Sequence, residues 1–383
     1  MSTNSKYSAG VTQQDIAEML SLSRSTVAFA LNPKHRYKLL PETLKLVLDK
    51  AEECGYRPQK AATVLGTGRS HVIGVIYQHG IYHAPIQRVR HLAHYVIQAG
   101  YQLVAIDTEW FKHDLLATSN HLMDSSVEGV IFCNLSNTED QIREFFGSLR
   151  IPQVAVSCYS APANIEHVSA DMERAFYEMT RHHLEQGSRE LNLLLSFHDA
   201  ELRGHPGSMV VQRFKGFERA IREAGGYLEL SAKDREIFNY KSQARRSPRK
   251  PIGRISFPVR KPEYTDAFAL GFHHLEELAR EDAVPESLIC SNDEIAAGAL
   301  TASIKRNIAV PGRLRISGAD DAPFSAYSGI PITTIRQPIP QIMGNAVRRL
   351  IELIENPAHS KQTGKAQALP CELIIRDSTV IAP

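Results

Sequence analysis

Long apolar runs, paired cysteines and a surplus of charge are all missing from this chain of 383 residues, and each absence removes a class of protein. No stretch approaches the roughly 20 apolar residues that span a bilayer. The opening MSTNSKYSAG has no apolar core of the secretory kind, so a cytoplasmic location without a membrane partner is expected. The five cysteines (Cys54, Cys133, Cys158, Cys290, Cys371) are odd in number, scattered and lack a C-x-x-C pair. That argues against a disulfide framework or a zinc site and predicts reduced thiols. A net charge of only +2 excludes a globally basic nucleic-acid coat. There is no G-x-S-x-G elbow, no G-x-x-x-x-G-K-[ST] phosphate loop and no H-E-x-x-H. His182-His183 and His273-His274 are adjacent on predicted helices, so the two rings of each pair point about 100° apart and cannot share a metal. No catalytic residue, metal or cofactor is therefore predicted, and the chain does not read as an enzyme.

What is present is a composition of 43% hydrophobic and 22% charged residues, enough for more than one ordinary globular domain. Charge is uneven along it. Residues 1–69 hold ten Lys/Arg against six Asp/Glu, an excess suited to salt-dependent phosphate contacts when two copies act together. Within that region Thr12–Asn32 reads as two short helices joined by a tight polar turn. Thr12 and Asp15 form a capping box, and Ser23 caps the second helix. Ile16, Ala17, Met19 and Leu20 are expected to face inward from the first helix, and Val27, Ala30 and Leu31 from the second. Helices this short need a third element. One follows from Pro41 to Cys54, with Leu44, Val47, Leu48 and Ala51 as its apolar stripe and Gly55 as its stop. Arg24, Ser25, Ala28 and Phe29 are then left outside, on the turns by which a recognition helix reaches base edges. Arg24 suits a guanine, Ser25 a base or phosphate, and Phe29 the thymine methyls; a large exposed aromatic implies a partner. A structural three-helix domain with a solvated face fits the helical pattern equally well.

The string T-x-x-D-I-A-x-x-x-x-x-S-x-x-T-V-x-x-x-L-N, from Thr12 to Asn32, then Pro41-Glu42-Thr43 and A-E-E-C-G-Y-R-P ending at Pro58, resembles the N-terminal signature of the LacI/GalR (lactose-repressor) family of bacterial transcription regulators. The chain departs from it at Leu20-Ser21-Leu22-Ser23, where the family usually has Ala-Gly-Val-Ser, and at Ala28-Phe29, where Ser-Arg is usual; the segment Pro33–Leu40 is slightly longer. The resemblance implies a DNA-binding domain over residues 1–58, with Thr12, Ser23, Arg24, Ser25, Thr26, Ala28, Phe29 and Asn32 at contact positions. It also implies a hinge helix over 59–69, in which Lys60 and Ala61 face the minor groove and Leu65 wedges a base step. Taken without it, this stretch reads as a plain linker.

From His71 onward strands and helices alternate. Strands are expected at Val72–Tyr77, Gln102–Asp107, Gly129–Cys133 and Gln153–Ser157, with helices at Ile86–Ala99 and Glu139–Leu149, forming a first open sheet. A second set has helices at Met172–Gln186, Val210–Ala224, Thr265–Arg280 and Glu294–Arg306. Its strands are Leu191–Ser196, Leu288–Ser291, Arg315–Gly318 and Ile332–Ile335. The helix Ile339–Glu355 and a strand pair near Cys371–Arg376 close the chain. The fold class is thus α/β: a helix-turn-helix head, then a two-lobed core over 70–383 similar to the type I periplasmic binding proteins. The first lobe takes about 70–168 and 338–358, the second about 169–337 and 369–383.

Ligands in such folds sit at the carboxyl ends of strands. Gln78 and His83 follow the first strand, Asn292 follows Leu288–Ser291, Asp320 follows Arg315–Gly318, and Gln337 completes the ring. The resemblance places Arg213, Asn292-Asp293 and Asp320-Asp321 at effector positions. Each has a plainer alternative: Asn292 as a helix cap, Arg213 as a surface ion pair, Asp320 as a loop cap. Ser157-Cys158-Tyr159 departs from the family pattern, so effector identity does not carry over, and the basic Arg245–Pro251 stretch reads as a solvated loop. The expected function is a homodimeric, or tetrameric, sequence-specific DNA-binding repressor of a pseudo-palindromic operator, controlled by a small molecule such as a sugar. The alternatives are a cytosolic solute sensor whose head contacts protein and a constitutive DNA binder with a vestigial pocket.

Overall fold

The computed structural model describes residues 11–56, 68–78, 84–108, 115–133, 135, 147, 149–158, 165–196, 208–240, 250–257, 266–357 and 364–380. Two compact units result, Met1–Ser70 and His71–Pro383. In the first, α1 (Gln13–Leu20) starts at a complete capping box between Thr12 and Asp15 and ends at Ser21, which takes a left-handed φ of 53°. Ser23 caps α2 (Arg24–Leu31), a six-residue 3-10 turn follows over Pro33–Lys38, and α3 (Pro41–Glu53) has proline in its first turn. Gly55 ends the domain's last helix with φ +61°, a conformation that costs glycine little. Ile16, Ala17, Val27, Ala30, Val47 and Ala51 make the core, closed by Leu20, Leu22, Leu31, Leu39, Leu44 and Tyr56.

Met19 corrects the sequence expectation. It is 53% exposed, because the inward stripe of α1 is set by Ile16 and Leu20 and Met19 falls about 100° off it. Its thioether instead lies 3.8 Å from the Cys54 thiol.

The second unit holds two parallel sheets. One has the order β12-β5-β4-β3-β1-β2, built from β1 (Val72–Tyr77), β2 (Gln102–Asp107), β3 (Gly129–Cys133), β4 (Gln153–Val156), β5 (Glu166–Ala170) and β12 (Ala366–Leu369). β1 and β3 are near-continuous apolar runs because helices cover both faces of a parallel sheet. Helices α4 (Ala84–Gln98), α5 (Leu115–Asp124) and α11 (Ile339–Glu355) pack on it. The other sheet runs β10-β9-β6-β8-β7, from β6 (Glu190–Leu194), β7 (Tyr227–Glu229), β8 (Ile252–Ser256), β9 (Ser287–Cys290) and β10 (Arg315–Ser317). Its helices are α6 (Met172–Glu185), α7 (Met209–Glu223), α8 (Ala232–Ile237), α9 (Ala267–Arg280) and α10 (Asp293–Lys305). A third, two-stranded sheet pairs β11 (Thr334–Arg336) antiparallel with β13 (Glu372–Ile374).

β5, β7 and β8 were not anticipated: Glu-His-Val-Ser-Ala and Ile-Gly-Arg-Ile-Ser mix polar and apolar residues without clean alternation, and β7 has three residues. The closing segment is not a local strand pair. β13 pairs with β11, and β12 adds to β5 at the edge of the first sheet. The expected helix Glu139–Leu149 and the basic stretch Arg245–Pro251 fall almost wholly outside the described residues. Among the described residues, no helix is long and apolar enough to cross a membrane.

Histidines serve the packing. His183 is enclosed between Ser287 Oγ and Ser317 Oγ, each 2.8 Å from a ring nitrogen, and so ties α6 to β9 and β10. His182 Nε2 lies 2.8 Å from Thr379 Oγ1. Burial lowers both, with His182 and Arg315 adding to the effect on His183. Burial likewise lowers His167 to about 4, and His274 to about 4 in spite of Glu277. The unfolded chain protonates these rings near pH 6.5 and the folded chain only further down. Their contribution is therefore complete above about pH 6.5 and is lost as pH falls toward 4. His167 and His274 would each remove up to roughly 3 kcal/mol over that range. Denaturation midpoints taken from about pH 7.5 down to about pH 4.5 should decline steadily; a flat profile would refute the assignment of these rings as neutral.

Candidate functional site

The polar start of α2 is a run of hydroxyls. Ser23 Oγ accepts from the Thr26 backbone N–H at 3.1 Å and lies 2.7 Å from Ser25 Oγ and 2.8 Å from Thr26 Oγ1. Thr12 is engaged with Asp15 through both its backbone N–H (2.7 Å) and its hydroxyl (2.8 Å), so its first role is to start α1. Arg24 and Ser25 are exposed, Ala28 is half-buried, and Asn32 is the C-cap of α2. Phe29 departs from its expected exposure. The His35 ring meets it edge-on at 5.6 Å and Lys38 Nζ lies 5.1 Å over its face, because the 3-10 turn folds back onto α2. Phe29 thus has its partners within the chain. Lys60, Ala61 and Leu65 lie outside the described residues.

In the second unit a cavity of about 260 Å³ is lined by Arg88 from α4, Asn292-Asp293-Glu294 at the start of α10, Asp320–Phe324 beyond β10, and Ile339 at the start of α11. Asn292 caps α10 by accepting from the Ile295 N–H at 2.9 Å. Asp293 is buried beneath it. Its carboxyl accepts from Thr334 Oγ1 at 2.6 Å and from the Ala322 N–H at 2.7 Å. Burial pushes its pKa well above the ordinary value, against the Thr334 hydrogen bond and with Asp320 adding.

The two aspartates that follow stand at positive φ, 104° for Asp320 and 48° for Asp321. Such backbone costs of order 1–3 kcal/mol per residue and persists only where its surroundings fix it. Here they do. Asp320 accepts from Gln337 Nε2 at 2.5 Å, and Asp321 is held by Arg336 at 2.7 Å and Arg376 at 2.5 Å. Burial alone would raise Asp321, yet Arg376 and Arg336 leave it below the usual carboxylate range. Arg88 Nη2 is 3.5 Å from Gln337 Oε1 and 4.0 Å from Asp320, which joins α4 to the loop beyond β10.

Of the six residues expected to bind effector, Asn292 and Asp320 line this cavity and Gln337 braces Asp320. Gln78 is buried after β1 and Arg213 is buried in α7 with its guanidinium 5.6 Å over the Phe176 ring; neither is among the lining residues. His83 lies outside the described residues. Sequence reasoning passed over Arg88, whose signal was a charge four residues before Leu92 on the buried stripe of an amphipathic helix.

A family model described as periplasmic binding protein-like domain matches residues 180–379, slightly more than half of the chain. The chain belongs to the periplasmic binding protein-like family. Relatives match it over nearly their whole length. The catabolite control protein A of Priestia megaterium is 24% identical over 373 residues, covering 96% of this chain and 99% of that protein. The transcriptional repressor PurR of Actinobacillus pleuropneumoniae is 25% identical over 370 residues, covering 96% and 98%. Among solved structures, a lac repressor dimer bound to operator and the anti-inducer ONPF superposes with a TM-score of 0.73 at 22% identity, covering 97% of this chain and all of that one. That likeness extends the LacI-type fold over both units.

Proposed function

We propose that the chain is a DNA-binding transcriptional repressor that acts as a homodimer and answers to a small-molecule effector held in the cavity between its two sheets. The observation that carries this is the union, in one chain, of a capped helix-turn-helix head with a two-lobed core whose polar cavity draws residues from both lobes. Arg88 reaches the cavity from a helix on the first sheet, and Asn292 and Asp293 at the start of α10 and Asp320 beyond β10 reach it from the second. A ligand bound there contacts both lobes only when they are closed, so it shifts the population toward one lobe arrangement. The coupling is reciprocal: an effector that weakens operator binding is itself weakened by operator to the same factor. Residues 59–69 serve as the hinge, with Lys60, Ala61 and Leu65 toward the minor groove, and the protein acts in the cytoplasm on the nucleoid. Polar groups converging on a small cavity suit a sugar or related metabolite.

The test is selection from a random duplex pool followed by anisotropy titration. A pseudo-palindromic sequence should be enriched, and Arg24→Ala should reduce its advantage over unrelated duplex by roughly fivefold to a hundredfold for each half-site, the span of one lost bidentate base contact. Absence of any enriched sequence would sink the reading.

A further inference from the structure

The head divides its acidic residues from a carboxylate-free stretch by chain segment. From Met19 through Pro41 there is no carboxylate, while Arg24, Lys34, Arg36 and Lys38 all fall there; every acidic residue between Val11 and Tyr56 lies on α1 or α3. The 3-10 turn over Pro33–Lys38 carries three of those four cations. Its residues have separate tasks. Leu39, just beyond it, packs into the core of the head. Arg36 Nε donates to the Ala30 carbonyl at 3.0 Å, which fastens the turn to the end of α2. Tyr37, 80% exposed, and the exposed Lys38 are left pointing out.

The side on which they point follows from α2. Its core side is set by Val27, Ala30 and Leu31, and Phe29 lies about 150° from the middle of that arc on the helical wheel. The turn covers Phe29, so it lies along the face of α2 that turns away from the core, the face that also carries Ser25. Lys38 Nζ is 5.1 Å from the Phe29 ring and 5.8 Å from the Tyr37 ring, which sets an ammonium between two aromatic faces beside the recognition helix.

Resting on the DNA-binding reading above, we propose that the 33–38 turn is a second DNA-contact element in which Lys38 neutralises a backbone phosphate flanking the bases read by Arg24, with Tyr37 against the same sugar-phosphate strand. Phe29 then serves as the platform that positions Lys38, and base readout falls to Arg24, Ser25 and Ala28. An ammonium that meets phosphate positions the protein without reading sequence. Its loss has a signature distinct from that of a base contact: affinity falls alike on every duplex, and the salt dependence becomes shallower.

The experiment measures full-length protein on the selected duplex and on an unrelated one across a salt series. Lys38→Gln should flatten the slope of log K against log salt by about 1.8 for a dimer, two phosphates at about 0.9 each, on both duplexes. Lys38→Arg should restore it, and unchanged melting of Lys38→Gln would show the fold intact. A Lys38→Gln slope equal to wild type, with Arg24→Ala still reducing preference for the selected duplex, overturns the turn assignment alone. A wild-type protein with no salt-dependent duplex affinity overturns the DNA-binding reading and this proposal with it.

Discussion

Asp320→Ala is expected to silence the effector response while leaving operator affinity in place. Asp320 accepts from Gln337 at 2.5 Å and faces Arg88 at 4.0 Å, so its carboxylate organises the polar set that joins α4 to the loop beyond β10. Removing it takes away an acceptor for a ligand hydroxyl and leaves a buried guanidinium opposite an apolar methyl. Hydrogen bonds to charged groups contribute about 1.5–3 kcal/mol, so effector affinity should drop roughly tenfold to a hundredfold. Asp320→Asn keeps the shape and tolerates positive φ, which separates loss of charge from backbone strain. Calorimetry with an effector found by thermal-shift screening reads the affinity, and anisotropy on the selected duplex reads the DNA half. Undiminished ligand heat for the alanine variant would remove Asp320 from the site.

The second large effect is structural. α9 and α10 cross at two glycines: a Cβ on Gly271 would fall far inside contact with the Ile295 carbonyl, and one on Gly298 inside contact with the Phe268 carbonyl. No side-chain rearrangement relieves a collision with backbone, so the helices must separate. Overpacking of this kind costs about 3 kcal/mol or more. Gly298→Ala should therefore lower the melting temperature by roughly 5–10 °C. Gly329→Ala meets nothing within 4 Å and should melt like the parent protein. Calorimetric scans of the two variants decide it; equal melting for both would mean that the crossing yields more easily than its geometry implies. Because α10 begins at Asn292 and Asp293, a displaced crossing should also weaken effector binding.

How legible all this was in the amino-acid sequence depended on how local the determinant is. α11 was readable to the residue, since its apolar stripe Ile342, Met343, Ala346, Val347, Leu350 and Leu353 repeats at helical spacing. The capping box at Thr12 and the cap at Ser23 were equally visible, being contacts of three residues' span. β5, β7 and β8 were not, because short strands on mixed sequence are fixed by parallel neighbours far along the chain. In the cavity, Asn292 and Asp320 showed themselves by following strands, whereas Arg88 reaches Gln337 over 249 positions and Asp321 reaches Arg376 over 55. Pairings at that range leave no spacing to read. Phe29 misled for a different reason: the helical wheel gave its direction correctly but carried no information on what the next turn would lay over it.

The route of the chain between its two large sheets has a consequence for synthesis. It passes from β5 to α6, returns from β11 to α11, and leaves again from β12 to β13, so the first sheet gains its edge strand only at Ala366–Leu369. β6 to β10, by contrast, occupy one unbroken stretch from Glu190 to Ser317. On the ribosome the head can close as soon as α3 has emerged, and the five strands β6 to β10 can pair while the first sheet still lacks its last strand. A nascent chain stopped short of residue 366 would thus carry a finished helix-turn-helix head on an unfinished two-lobed core. On the proposed function, premature termination in this region should yield a species whose DNA contacts no longer answer to the cavity.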